Sequence, residues 1–161
     1  MKKEEIIIRK ATGEDFEVVN SLYYETYSLY HKNIPLSYKK TPKNLLPKGT
    51  FLDMLENKNT LVAVAELDNQ VVGVLYATIE KEESDDVVKG YHRVSVEELP
   101  VLPGHRRKGI GSILMKEAEN WAREHKIFDL AVLVYVFNKK AVKFYESNGY
   151  EPYSLKLNKR I

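Results

Sequence analysis

Residues 99–115, LPVLPGHRRKGIGSILM, constrain this chain more than any other stretch. An apolar segment leads into Gly104, Gly109 and Gly111, with four consecutive basic residues, His105 to Lys108, between the first two glycines. Ile110, Ile113, Leu114, Ala118, Trp121 and Ala122 then fall on one face at helical spacing, which predicts a helix from Gly109 to about His125. The stretch is therefore a strand, a glycine-rich cationic turn and a helix start. A helix N-terminus leaves four backbone N–H groups unpaired and carries partial positive charge. Glycines let a ligand approach that backbone, and Arg106, Arg107 and Lys108 add full charges. The turn reads as an anion site for a phosphate or pyrophosphate, set against the plainer reading of a tight connection with solvated basic residues. It lacks the Gly-Lys-Ser/Thr ending of a P-loop. The first βα unit lacks the glycines of a dinucleotide-binding fingerprint, and no acidic residue ends a following strand at the right distance.

The rest of the chain supplies the frame. EIIIRKA (5–11) is an isoleucine-rich strand. Thr12 with Asp15 three residues on resembles a capping box, opening a helix over about 13–31. Segment 32–50 holds Pro35, Pro42 and Pro47 and reads as a loop or broken helix. FLDMLEN (51–57) is a short helix, and TLVAVAEL and VVGVLYATIEKEE joined by DNQ form a hairpin. YHRVSVEELPVL (91–102) is a strand interrupted by Pro100. DLAVLVYVF (129–137) is a continuous apolar run, which suits a strand covered on both faces. NKKAVKFYESNG (138–149) is a helix with Asn138 and Gly149 as caps, and YEPYSLKLN (150–158) is a last strand. Strands bracketing helices give a layered α/β (α+β) fold on a mixed sheet. The 161 residues suit one domain.

Composition narrows the function classes. A net charge of +2 gives no global field to attract nucleic acid. With no cysteine, thiolate zinc sites, disulfides and a cysteine nucleophile are excluded. His31, His92 and His125 are scattered without metal-ligand spacing, so no metal site is expected. MKKEEIIIRKATGEDF has only three consecutive apolar residues, too few for a signal-peptide core, and nothing approaches a membrane span. A cytoplasmic protein without membrane or nucleic-acid partners is the expectation.

The spacing Arg106-x-x-Gly109-x-Gly111 resembles motif A of the GNAT N-acetyltransferase superfamily, Gln/Arg-x-x-Gly-x-Gly/Ala. A second block agrees: Asn138, Ala141, Phe144, Tyr145 and Gly149-Tyr150 sit as in that family's N-x-x-A-x-x-F/Y-Y-x-x-x-G-F/Y. One helix and one strand separate the blocks, as in the family, and the resemblance is most specific over 95–150. It implies a mostly antiparallel central sheet with helices on both faces, and a bulged strand that splays from its neighbour at the cofactor site. It divides one domain, 1–161, into an acceptor region of about 13–60 and an acetyl-CoA-binding core of about 91–150.

The resemblance also implies roles. Acetyl-CoA is the co-substrate. Its pyrophosphate would lie on the 106–112 turn, at Arg106, Arg107, Lys108, Gly109, Ile110, Gly111 and Ser112, although many relatives have glycine where this chain has Arg107. The pantetheine arm would pair with Leu99 and Val101, because Pro100 has no N–H to donate. The Val101 N–H would polarise the thioester carbonyl. Tyr145 would protonate the leaving thiolate, with a core aromatic as the plainer reading, and Asn138 would hold the cofactor arm or cap its helix. The base falls to Glu97, with Glu98 second, because strand alternation places Glu97 on the face of Leu99. This acidic pair resembles the diamine acetyltransferase branch; a solvated strand end or a water chain are the alternatives.

The acceptor region holds Tyr23, Tyr24, Tyr27, Tyr30 and Tyr38 beside Lys32, Lys39, Lys40, Lys43 and Lys48. A lysine rim would repel polyamines and favour a carboxylate-bearing small-molecule amine. The sequence thus points to an acyl-CoA-dependent N-acetyltransferase working by direct transfer. The rival is a non-catalytic CoA-binding sensor or regulatory module. Many relatives are dimers, so a homodimer is compatible with the family.

Overall fold

The computed structural model describes residues 5–161; the basic start of the chain lies outside them. β1 (Ile6–Lys10) leads into α1 (Phe16–Asn33) through a short 3-10 turn at Gly13–Asp15. The Thr12 N–H donates to Asp15 Oδ2 at 2.7 Å, which fixes the start of this helical stretch. Arg9 grips the same carboxylate at 2.8 and 2.9 Å, and holds it well below the usual aspartate range. α2 (Lys48–Glu56) follows a long connection. Buried Asn20 pins that connection to α1, donating to the Lys43 carbonyl at 3.1 Å and accepting from the Leu46 N–H at 3.0 Å.

β2 (Thr60–Leu67) and β3 (Gln70–Glu82) form the expected hairpin. Asp68 and Asn69 both adopt positive φ at its turn, which short polar side chains tolerate. β4 (Tyr91–Glu98), α3 (Ile110–Glu124), β5 (Leu130–Val132) and α4 (Lys139–Ser147) complete the order. The sheet runs β1-β2-β3-β4-β5, antiparallel except for the parallel β4/β5 pair. One core packs α3 against the sheet through Ile110, Leu114, Met115, Ala118 and Trp121. The opposite face packs α1 and α2 through Val19, Leu22, Tyr23 and Phe51.

Two expected strands differ. Run 129–137 is strand only over Leu130–Val132, and it is not covered on both faces: Leu133 and Val136 are exposed. Residues 151–161 form no strand and are exposed throughout, so YEPYSLKLN does not close the sheet. Its alternating pattern suits a strand, but a strand needs a neighbouring backbone to bond, and in this chain the tail is not laid on β5.

Candidate active site

The site begins with one extra residue in β4. Val96 faces Ala77 and Glu98 faces Tyr76, so Glu97 is a bulge without a partner on β3. The bulge breaks the alternation expected from sequence. Leu99 packs into the α3-side core, whereas Glu97 and Glu98 both turn to the α1 side. Beyond the bulge the strand resumes contact with β3, as Val101 opposite Gly73. The Val74 N–H donates to the Pro100 carbonyl at 3.0 Å, and the Leu102 N–H donates to the Val72 carbonyl at 2.8 Å. Val101 lies between these two bonds, so its own N–H points away from β3; alternation turns Leu99 the same way. The donor Pro100 lacks is one that would have faced β3. On the far side β5 pairs with β4 only through Val94–Val96 and then departs. The two parallel strands splay, and the outward N–H groups of Leu99 and Val101 face the gap.

The cationic turn closes one end of this gap. Pro103–His105 make a 3-10 turn, Arg107 sits at φ 65° and Gly109 at φ 82° before α3 starts at Ile110. Arg107 thus occupies a conformation that favours glycine. A Cβ on Gly109 would meet nothing within 4 Å, so its backbone is open to a ligand. Gly111 serves packing instead: a Cβ there would stand 3.0 Å from Phe144 Cζ, so α4 can close onto the start of α3. Gly73, which the sequence did not single out, does the same beneath the turn, with Ile110 Cγ2 3.1 Å from where its Cβ would be. Arg106 does not simply project into solvent. Its Nε donates to the Val101 carbonyl at 2.7 Å and its guanidinium lies 3.8 Å from Glu25 of α1. The turn's His105 has a buried Nδ1 without a partner among the described residues.

The floor of the gap is acidic and aromatic. Glu98 is half-buried, with the Tyr27 hydroxyl as its hydrogen-bond partner. Burial, and then the Glu97 charge, raise its carboxyl to about 7 against the pull of Tyr27. Glu97 is exposed and accepts from Thr78 Oγ1 at 2.9 Å. Around Glu98 stands a ring of phenols. Tyr30 packs against Tyr38, Tyr135 and Phe137, and the Tyr38 and Tyr135 hydroxyls bond at 2.8 Å. Tyr135 and Phe137 were hidden in the apolar run, and only their departure from β5 brings them here.

Over residues 22–150 the chain matches the Acetyltransferase (GNAT) family. It belongs to that family. Among curated relatives of this GNAT chain, the streptothricin acetyltransferase of Streptomyces lavendulae is 40% identical over 36% of this chain and 31% of its own length. The aminoglycoside N(6')-acetyltransferase type 1 of Acinetobacter haemolyticus is 33% identical over 48% of this chain and 53% of its own. These two matches thus span a third to a half of the relatives. An uncharacterized N-acetyltransferase of Bacillus subtilis, YhfO, is 29% identical over 89% of both chains. In fold, a crystal structure of the BH1408 protein of Bacillus halodurans superposes with a TM-score of 0.92 at 20% identity, over 96% of this chain and 99% of that one. The aminoglycoside N-acetyltransferase AAC(6')-Iy in complex with CoA gives 0.76 at 17% identity, over 99% and 97%.

The second GNAT block lies on α4. Asn138 caps it, its Oδ1 accepting from the Ala141 N–H at 3.2 Å, and Gly149 ends it at φ 86°. Tyr145 packs between Phe144 and Tyr150 and lies within the field of Tyr30 and Glu98; burial pushes its phenol up. Of the acceptor-region tyrosines, Tyr27, Tyr30 and Tyr38 join the ring, Tyr23 belongs to the core and Tyr24 is exposed. Lys32, Lys39, Lys40, Lys43 and Lys48 are all exposed. Among the described residues no group of side chains could hold a metal, and no helix is long and apolar enough to cross a membrane.

Proposed function

We propose that the whole chain works as one N-acetyltransferase domain, cytoplasmic, that moves acetyl from acetyl-CoA directly to a primary amine of a small molecule. The observation that carries this reading is the gap beside β4. It has free N–H groups at Leu99 and Val101, a cationic helix start at one end and a carboxylate titrating near neutrality on its floor. Acetyl-CoA supplies the thioester; the chain supplies the rest. Residues 106–112 hold the pyrophosphate, and Leu99 and Val101 the pantetheine amides. The Val101 N–H stabilises the oxygen on which charge develops.

The base passes from Glu97 to Glu98 in this reading. Glu98 sits inside the tyrosine ring with a pKa near the working pH, where a base is most effective, whereas Glu97 is exposed and held by Thr78. The amine nitrogen attacks the thioester carbon as Glu98 takes its proton. The C–S bond breaks, and the Tyr145 hydroxyl gives its proton to the departing sulfur. Burial favours a phenol that keeps its proton until then.

For the acceptor, the relatives' names and the aromatic ring support an amino sugar. The exposed lysines of the 32–43 connection favour, as a second reading, an amine that also bears a carboxylate. The test is release of CoA thiol from acetyl-CoA with pooled aminoglycosides, amino sugars, amino acids, polyamines and lysine peptides. With no cysteine the protein gives no background with a thiol reagent. Release with one pool is expected. Silence across all pools while acetyl-CoA still raises the melting temperature would favour the non-catalytic CoA-binding module.

A further inference from the structure

The exposed large apolar side chains concentrate at two places. Phe128, Leu133 and Val136, flanking β5, are between 71% and 84% exposed. Tyr153, Leu155 and Leu157, in the tail, are between 69% and 97% exposed. Each place lacks what the other offers. β5 is an edge strand that bonds only to β4, and its outer edge carries no strand among the described residues. Proteins ordinarily blunt such an edge with charge or proline, yet residues 130–137, LAVLVYVF, contain neither. The tail YSLKLN (153–158) alternates apolar and polar residues at strand period without a sheet to join. Pro152, which cannot donate to a ladder, stands just before it, as at a strand start.

We propose that residues 151–161 of one copy of this chain add as a strand to the open β5 edge of a second copy, reciprocally, to make a symmetric dimer. A second copy brings an edge and a tail together, so one two-fold operation covers both apolar sets in both copies. The chain's own tail is the weaker occupant. Phe144 of α4 packs on Gly111 of α3, so α4 lies on the same sheet face as α3. A crossover on that face delivers the chain's own tail parallel to β5, as it delivered β5 parallel to β4, and parallel pairing is the less stable kind. A tail from a two-fold partner is free to run antiparallel. Beside the edge, Val136 and Val142 line a shallow cavity of about 240 Å³ flanked by Lys139 and Lys143, and it would take an apolar side chain of the incoming strand. The segment so covered carries Tyr135 and Phe137, so the dimer would brace one wall of the site.

The experiment is sedimentation of the full-length protein over the micromolar range, which is independent of whether it acetylates anything. Twice the chain mass is expected. A single chain mass at every concentration would overturn the proposal. Leu155→Lys combined with Leu157→Lys is expected to restore the single mass with an unchanged circular dichroism spectrum, because both residues are exposed within one chain; a dimer that persists would place the contact elsewhere and overturn it. A chain carrying Leu133→Cys and Leu155→Cys is expected to oxidise to linked pairs of chains. Closure within a single chain would show the tail folding back on itself and would also overturn the proposal.

Discussion

Arg106 holds Val101 by its backbone: Nε donates to the carbonyl oxygen at 2.7 Å, five residues back along the chain. The sequence suggested only a pyrophosphate ligand at position 106. The structure adds a second duty, because the grip orients the residue whose N–H faces the gap. Arg106→Ala is therefore expected to weaken CoA binding and to slow turnover together. A hydrogen bond to a charged group is worth about 1.5–3 kcal/mol, or roughly tenfold or more in affinity. Calorimetric titration with CoA checks the first effect and kcat the second; unchanged affinity would remove this side chain from the pyrophosphate site.

Glu98→Gln is expected to lower kcat/KM by about 10²–10⁴-fold and to remove its acid limb. In the parent protein that limb should rise through about pH 7, as the raised Glu98 carboxyl loses its proton. Glu97→Gln should keep the limb. A limb that followed Glu97 instead would return the base to the exposed carboxylate.

The same raised pKa has a stability signature. The folded state holds the Glu98 proton more tightly than the unfolded state, so stability falls as pH rises from the ordinary glutamate value, 4.5, towards about 7. Glu98→Gln should therefore melt higher than the parent at pH 8, and the two should converge near pH 4. A scanning calorimeter at the two pH values reads this directly.

Tyr145→Phe is expected to reduce turnover while sparing acetyl-CoA affinity, because the ring between Phe144 and Tyr150 is retained. Full turnover in the variant would leave Tyr145 a packing residue.

Gly73→Ala tests the packing beneath the turn. The added Cβ would stand 3.1 Å from Ile110 and 3.2 Å from Leu114, at the start of α3. Overpacking of this kind costs about 1–3 kcal/mol, a fall of several degrees in Tm for a chain this size. CoA affinity should fall with it, since Ile110 opens the helix that carries the cationic turn.

What the sequence disclosed was local chemistry. The glycine turn, the α3 face, the two caps of α4 and the Asp68–Asn69 hairpin each depend on residues close in sequence, and each stands where expected. What it concealed was non-local. A run such as LAVLVYVF reads as buried strand because apolar residues usually mean a neighbour, and nothing within it marks Val132 as the last paired residue. The order of the two glutamates rested on strict alternation, which one extra residue overturns without altering composition. Tyr135 meets Tyr38 across 97 positions of sequence, a contact no spacing rule anticipates.

That extra residue also says something about how such a site can arise. Glu97 and Glu98 share the α1 side only because β4 counts one residue more than β3, while Leu99 and Val101 remain on the α3 side. Removing Glu97 would leave Glu98 facing the tyrosines and Leu99 in the core, in an ordinary strand. A one-codon insertion into a plain strand is thus enough to add a second carboxylate and a bend while the rest of the ladder keeps its register. The deletion is the reverse experiment: it would separate the bend from the carboxylate, which no substitution at either glutamate can do.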